Sequence, residues 1–441
     1  MSPITIGILG VAMFLILMFC GMGIAFAMMF GSSIAIIMMR GPMVAGQLIA
    51  AEMVSTFSSY SLTVGPMFGL MGFLASYTGI GADLFQCLKS FVGHRKGGLA
   101  SSVQVACAGF GAICGSIPAT AATMSAVAYP EMRKEGYAVE LAALCIVGGA
   151  TLSTLIPPSN ILIIYGTAQE LSISRLFCAG VLPGVTLMIL NIFLIKYLCW
   201  RNPGWAQPSR KFSWKERWTA LTNGGVIQIA IVFALAMGGM FAGFFTPTEA
   251  GAVGVFGMLL VTLFSKNLTF KRLCRALLEG VRLQAMLYVL MACGSVLGKS
   301  LTLATIPTTL GRWVQEAGLS PLLVLSMIIF IYFVMGCFTD LMSMMLATLP
   351  VFYPIVVNYC GYDPAWFGVL IILLMSVGNM TPPVGSSVFM QKNFIASVDP
   401  DVPVSVLFRA SWPWVWERFV MMIVLVAFPS LVTWLPNMLN M

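Results

Sequence analysis

The sequence predicts an all-α polytopic membrane protein: an inverted-topology repeat with two re-entrant hairpins and two broken helices. Three observations predict it. The first is composition. Of 441 residues, 59% are hydrophobic and 9% charged, against roughly 45–50% and about 25% in soluble domains. Mean hydropathy is +0.96. So few charges cannot clothe a soluble globule of this length, which excludes a cytosolic enzyme, a nucleic-acid binder and a disordered chain. The second is a pair of apolar runs interrupted by double prolines, Pro157–Pro158 and Pro382–Pro383. Proline removes a helix hydrogen bond and clashes with the preceding turn. The carbonyls it frees must face protein, water or an ion, because lipid cannot satisfy them. The third is recurrence in register. Gly136–Tyr137 returns 225 residues later as Gly361–Tyr362, the double prolines return at the same interval, and Pro130 returns one residue earlier, as Pro354.

Apolar runs of about 20 residues suffice to cross a bilayer. Spans are expected near 3–20, 22–39 and 50–76 in the first half, residues 1–200. The amphipathic segment 78–93 reads as an interfacial arm helix. Residues 97–132 are apolar but centred on Gly115–Ser116–Ile117–Pro118, with Arg95–Lys96 at one end and Arg133–Lys134 at the other. Basic flanks belong on the cytoplasmic side, so this segment enters the bilayer and returns. A broken helix, 139–168, and a span, 176–199, complete the half. The basic linker 201–221 leads to the second half, 222–441. There, spans are expected at 222–245, 247–264 and 280–300, with an arm at 303–318. A hairpin follows at 321–358 around Gly336–Cys337–Phe338–Thr339–Asp340, then a broken helix at 364–396 and a last span at 413–435.

Charge sets the expected topology. With the N-terminus outside, loops near 89–96, 133–134, 196–217, 266–282, 392 and 409–418 fall inside. They hold all 23 Lys and Arg except Arg40, Arg175, Lys299 and Arg312. The second half then starts on the side opposite to the first, as in many secondary transporters. The net charge of +8 belongs to these loops and implies no nucleic acid. The lone histidine, His94, lies beside Arg95 in a loop. Eleven cysteines, without a C-x-x-C pair, read as packed thiols and not as metal ligands. The first basic residue is Arg40, so no cleaved signal peptide is expected.

No P-loop, H-E-x-x-H or G-x-S-x-G motif occurs, so energy must come from an ion gradient or another subunit. The first hairpin tip, Gly115 to Thr120, is built of small and hydroxyl residues. Such residues pack helices closely in membranes. Paired with a broken helix in each half, they also offer carbonyl and hydroxyl oxygens suited to a hard cation such as sodium. Asp340 lies at the second tip, either as a functional intramembrane carboxylate or as a helix N-cap. Thr246–Pro247–Thr248–Glu249 reads as a helix start with proline at its first position. An intramembrane enzyme using Asp340 or Ser116 would need a second catalytic group, and no histidine or carboxylate has an obvious place for that role.

Several stretches together resemble one family. Gly238 to Gly251 (GGMFAGFFTPTEAG) is similar to the G-x-F-T-P-T-E-A stretch of the DctM large permease subunit of tripartite ATP-independent periplasmic (TRAP) transporters. Leu155–Ile156–Pro157–Pro158–Ser159 resembles its L-I-P-P-S, and Thr381–Pro382–Pro383–Val384–Gly385 its T-P-P-V-G. Arg95 to Ala100, and Pro130–Glu131–Met132 with Gly136–Tyr137, fit the same pattern. The chain departs from it at Ala150–Thr151–Leu152–Ser153, where G-T-L-G is usual, and at Cys114–Gly115–Ser116–Ile117, where the tip usually reads S-G-S-S. The resemblance implies sodium-driven uptake of a small organic anion, a carboxylate or sulfonate, at the bacterial inner membrane by an elevator-type movement. It implies a periplasmic substrate-binding protein and a small four-helix membrane subunit as partners, with membrane lipid around them. No extra helices precede the first span, so that subunit is expected as a separate chain. Sodium would be the coupling ion, with no cofactor and no catalytic residue. One sodium site would use Gly115, Ser116, Ser153, Ile156 and Ser159; the other Gly336, Thr339, Gly378, Thr381 and Val384. Thr120 and Asp340, at the hairpin tips, would stand near the substrate. A stand-alone sodium–dicarboxylate symporter of related fold is the alternative.

Overall fold

A computed structural model describes residues 1–223, 225–264 and 269–439, and every regular element among the described residues is helical. Helix α1 (Pro3–Phe19) starts where Ser2 accepts from the Thr5 N–H at 3.2 Å and proline fills the first helical position, the sequence logic of an N-cap. It packs on α2 (Ile24–Arg40). Gly41, at φ +84°, turns the chain into α3 (Pro42–Phe57). The single span expected over 50–76 is not formed. After Phe57 the Ser58 hydroxyl turns back to the Val54 carbonyl at 2.6 Å, and a 3₁₀ turn, Tyr60–Thr63, intervenes before α4 (Val64–Tyr77). The arm α5 (Ile80–Val92) then bends away by 68°.

The first hairpin is α6 (Gly98–Cys114) and α7 (Ile117–Lys134). The first broken helix follows as α8 (Val139–Ala150), a 3₁₀ turn (Thr151–Thr154), and α9 (Asn160–Ala168). Helix α10 (Ile173–Arg201) runs 29 residues. The linker carries α11 (Trp214–Asn223), and α12 (Val226–Phe241) is shorter than the expected span. Helix α13 (Pro247–Phe264) starts at the Thr246–Glu249 pair, where each residue caps the other: Thr246 N–H to Glu249 Oε2 at 2.8 Å and Glu249 N–H to Thr246 Oγ1 at 3.3 Å. This is a capping box. Helix α14 (Phe270–Leu303) has 34 residues, roughly 50 Å, so it outruns the expected 280–300 and holds Lys271 and Arg275 in its first turns. The arm α15 (Ile306–Glu316) precedes the second hairpin, α16 (Pro321–Gly336) and α17 (Leu341–Tyr353). The second broken helix is α18 (Pro364–Gly378) and α19 (Ser386–Ile395).

The expected last span, 413–435, is also redrawn. Helix α20 (Val404–Ala427) begins earlier, and Pro429 ends it before α21 (Ser430–Met438). Arg418, assigned above to a cytoplasmic loop, therefore lies inside α20, and it is fully buried. The order arm, hairpin, broken helix, long helix occurs twice, as α5–α10 and α15–α20. The broken helices lie innermost: every residue of α18 after Pro364 is buried, as is α8 from Leu141 onward, whereas α16 of the second hairpin exposes Leu322, Met327 and Phe330. Around the broken helices, α1, α2, α12, α13 and α14 expose large apolar side chains such as Phe19, Phe30, Ile231, Phe256 and Val281. In water that surface would be costly; in lipid it is the expected outer face.

Candidate functional site

The breaks at the two double prolines leave both helices open at the level of the hairpin tips. Both peptide bonds, Pro157–Pro158 and Pro382–Pro383, are cis. At the first tip Gly115 has φ +59°, and a Cβ there would stand 2.8 Å from the Pro158 carbonyl oxygen; only glycine lets the tip sit on the break. The Gly115 carbonyl accepts from the Asn160 N–H at 3.4 Å. At the second tip the backbone approach is closer still: a Cβ on Gly378 would lie 2.5 Å from the Gly336 carbonyl carbon. The Val384 N–H donates to the Cys337 carbonyl at 3.2 Å. Each tip is thus bonded to the broken helix of its own half.

Between the tips lies a cavity of about 220 Å³. Four half-helix N-termini border it: α7 through Ser116 and Ile117, α9 through Asn160, α17 through Asp340 and Leu341, and α19 through Ser386. Two are closed by their own side chains. The Ser159 hydroxyl accepts from the Leu162 N–H at 3.4 Å, and Asp340 accepts from the Ser343 N–H at 3.1 Å. The α7 and α19 termini have no side-chain cap. Among the described residues no lysine or arginine lines the cavity, while the Asp340 carboxyl does, so the groups there that favour an anion are backbone N–H groups and helix dipoles. Leu283 and Met286 of α14 supply an apolar wall.

Gly115, Ser116 and Asp340 line this cavity. Asp340 is the N-cap of α17 and also lines the cavity. Thr120 stands one turn inside α7, buried, with its hydroxyl 3.5 Å from the Cys114 thiol. Ser153 and Ser159 are buried, and their hydroxyls donate to the Ala150 carbonyl at 2.7 Å and the Thr154 carbonyl at 2.6 Å. The Ile156 side chain packs against Gly184 of α10, which leaves only its backbone available to an ion. Thr339 and Thr381 donate to the Met335 carbonyl at 3.0 Å and the Val377 carbonyl at 2.7 Å. The oxygens at both breaks are neutral carbonyls and hydroxyls, a donor set that fits a hard monovalent cation. Sequence reading passed over Asn160, Asn379 and Ser386. The Asn379 amide donates to Ser387 Oγ at 2.8 Å and its oxygen accepts from Ser386. Their signal was position: each amide lies within three residues of a double proline.

The sequence profile of the family described as "Tripartite ATP-independent periplasmic transporter, DctM component" matches residues 11–431. The C4-dicarboxylate TRAP transporter large permease protein DctM of Pseudomonas aeruginosa is 32% identical over 89% of this chain and 90% of that protein. The 2,3-diketo-L-gulonate TRAP transporter large permease protein YiaN of Escherichia coli is 31% identical over 88% and 89%. The isethionate TRAP transporter permease protein DctMQ of Oleidesulfovibrio alaskensis is 26% identical over 76% of this chain and 52% of its own length. Among solved structures, the Alcanivorax borkumensis YdaH transporter, whose topology is described as unusual, matches with a TM-score of 0.57 at 12% identity, over 89% and 90% of the two chains.

Proposed function

The chain belongs to the DctM family of tripartite ATP-independent periplasmic transporters and is a multi-pass membrane permease subunit, and from that premise we propose that it couples sodium entry to uptake of a small organic anion. The anion, a carboxylate or sulfonate, occupies the cavity between the hairpin tips. Sodium ions occupy the two breaks. A periplasmic binding protein delivers the anion, and a small four-helix membrane subunit completes the permease. The halves 1–200 and 222–441 are inverted repeats joined by the linker 201–221, and the inner unit of hairpins and broken helices moves as an elevator past the outer helices.

One observation carries this reading: two half-helix N-termini without a side-chain cap face a cavity that no basic side chain lines among the described residues. Such a site attracts an anion through N–H groups, while the broken-helix carbonyls nearby attract a cation. Binding of one raises the affinity for the other. The named substrates of the relatives, a C4-dicarboxylate, a diketo sugar acid and a sulfonate, are all small organic anions and support the class.

The test is reconstitution. The permease with its small subunit, binding protein and an inward sodium gradient should accumulate the anion. Omitting any one should reduce uptake to background. Robust sodium-driven uptake by this chain alone would replace the tripartite reading with the stand-alone symporter.

A further inference from the structure

Two charged residues lie at the middle of α20, Glu417 and Arg418. Arg418 is fully buried and Glu417 is 8% exposed. Charge at that depth in a membrane bundle is costly and marks a role. The guanidinium divides its bonds between two helices. Nη1 donates to Glu417 Oε2 at 2.7 Å and to the Trp414 carbonyl at 3.1 Å, both on α20. Nη2 donates to the Gly148 carbonyl at 3.1 Å and to Thr151 Oγ1 at 2.7 Å, at the end of α8. Asn191 adds its amide to the same Gly148 carbonyl at 3.3 Å. The carboxylate sits on Nη1, so the positive end of the pair points at the broken helix. Thr151 opens the 3₁₀ turn that contains Ser153, two residues on.

The second broken helix lacks this charge. At the 225-residue register that relates the double prolines, Gly148 and Thr151 correspond to Leu373 and Ser376. The hydroxyl bond recurs: Thr151 donates to the Gly148 carbonyl at 2.7 Å, and Ser376 to the Leu373 carbonyl at 2.6 Å. The guanidinium does not recur, for the residue matching Arg418 is Phe193, 60% exposed on α10.

We infer that Arg418 is a fixed internal cation of the first broken helix, a tuning residue that holds the carbonyl end of α8 and makes the first ion site weaker than the second. The inference rests on the proposed reading of Ser153, Ile156 and Ser159 as part of a sodium site. A like charge bonded to Thr151, two residues before Ser153, repels a mobile cation in a dry interior, and an effect of about tenfold in affinity is the natural scale. Glu417 tempers that repulsion by facing the other side of the guanidinium.

Two variants shift the charge in opposite directions. Glu417→Gln leaves the guanidinium unbalanced and should raise the half-saturating sodium concentration about tenfold. Glu417→Gln with Arg418→Gln removes both charges and should lower it about tenfold below wild type. Two readouts serve: sodium titration of the thermal unfolding midpoint of the purified permease complex, and uptake against sodium in liposomes. A packing role would move both glutamine variants the same way. That result, or no movement in either while wild type responds to sodium, overturns the inference and leaves the sodium reading standing. If wild type responds equally to sodium, potassium and choline, the sodium reading falls and this inference with it. Should the double variant fail to fold, Glu417→Gln alone decides, since unchanged half-saturation contradicts the proposed role.

Discussion

Single residues show how far chemistry alone is legible in this chain. Thr381 precedes a double proline, where carbonyls lose their donors, and its buried hydroxyl donates to the Val377 carbonyl. Thr381→Val keeps the shape and removes one neutral oxygen from the second break. Half-saturating sodium should rise roughly tenfold, the equivalent of about 1.4 kcal/mol, with normal expression. A valine variant with wild-type sodium dependence would take Thr381 out of the site. Asp399 gives a second residue-scale expectation. Its carboxylate accepts from Arg133 Nε at 2.7 Å and Tyr129 Oη at 2.6 Å. The Arg133 guanidinium holds the Asp399 carboxyl below its usual range, with burial opposing. A depressed acid contributes stability above its unfolded value, about 3.9, and loses it as pH falls through the folded value. Wild type should therefore lose thermal stability more steeply than Asp399→Asn below about pH 4; parallel curves would show that the pair contributes nothing. Arg418 is the opposite case. The charge distribution puts 409–418 in a cytoplasmic loop, and nothing local marks Arg418 as fully buried.

Helices and hairpins were more legible than their ends. Both arms, both hairpins and both breaks lie where proline, glycine and flanking charge placed them. Helix continuity was misjudged at 50–76 and 413–435, because a hydropathy run does not reveal a Ser58 turn or a restart after Pro429. Two ion pairs join the halves: Arg133 of α7 with Asp399, just after α19, at 2.7 Å, and Arg175 of α10 with Asp363, the N-cap of α18, at 3.0 Å. A third, Lys89 with Glu131, joins the first arm to the first hairpin. One close backbone contact between elements is Gly336 on Gly378. Gly378→Ala would force backbone apart at 2.5 Å, and overpacking of this kind costs about 1–3 kcal/mol. A lower unfolding midpoint and loss of uptake are expected. Gly238→Ala, where nothing lies within 4 Å of an added Cβ, should retain both. Equal behaviour of the two would remove the close approach from this account.

At the scale of the molecule, the testable feature is sidedness. Ser209 hydrogen-bonds Glu135 at 3.2 Å and its N–H meets the Gly93 carbonyl at 3.0 Å, so the linker and the base of the first hairpin share one face. In a background with exposed Cys20 and Cys274 replaced by serine, cysteines at Gln207 and Lys134 should react with an impermeant thiol reagent only from the cytoplasm, and one at Ser320 only from the periplasm. Labelling of Lys134 and Ser320 positions from one side would end the inverted arrangement. The sequence by itself determined the class and the order of elements, because the bilayer imposes length, apolarity and backbone satisfaction on each segment separately. It also located both breaks, since proline acts on its own helix. Only the tertiary structure decided which N-termini face one cavity, that Gly336 touches Gly378, and that Arg418 reaches Gly148 from 270 residues away. Those are contacts between segments distant in the chain, set by packing that no local pattern encodes.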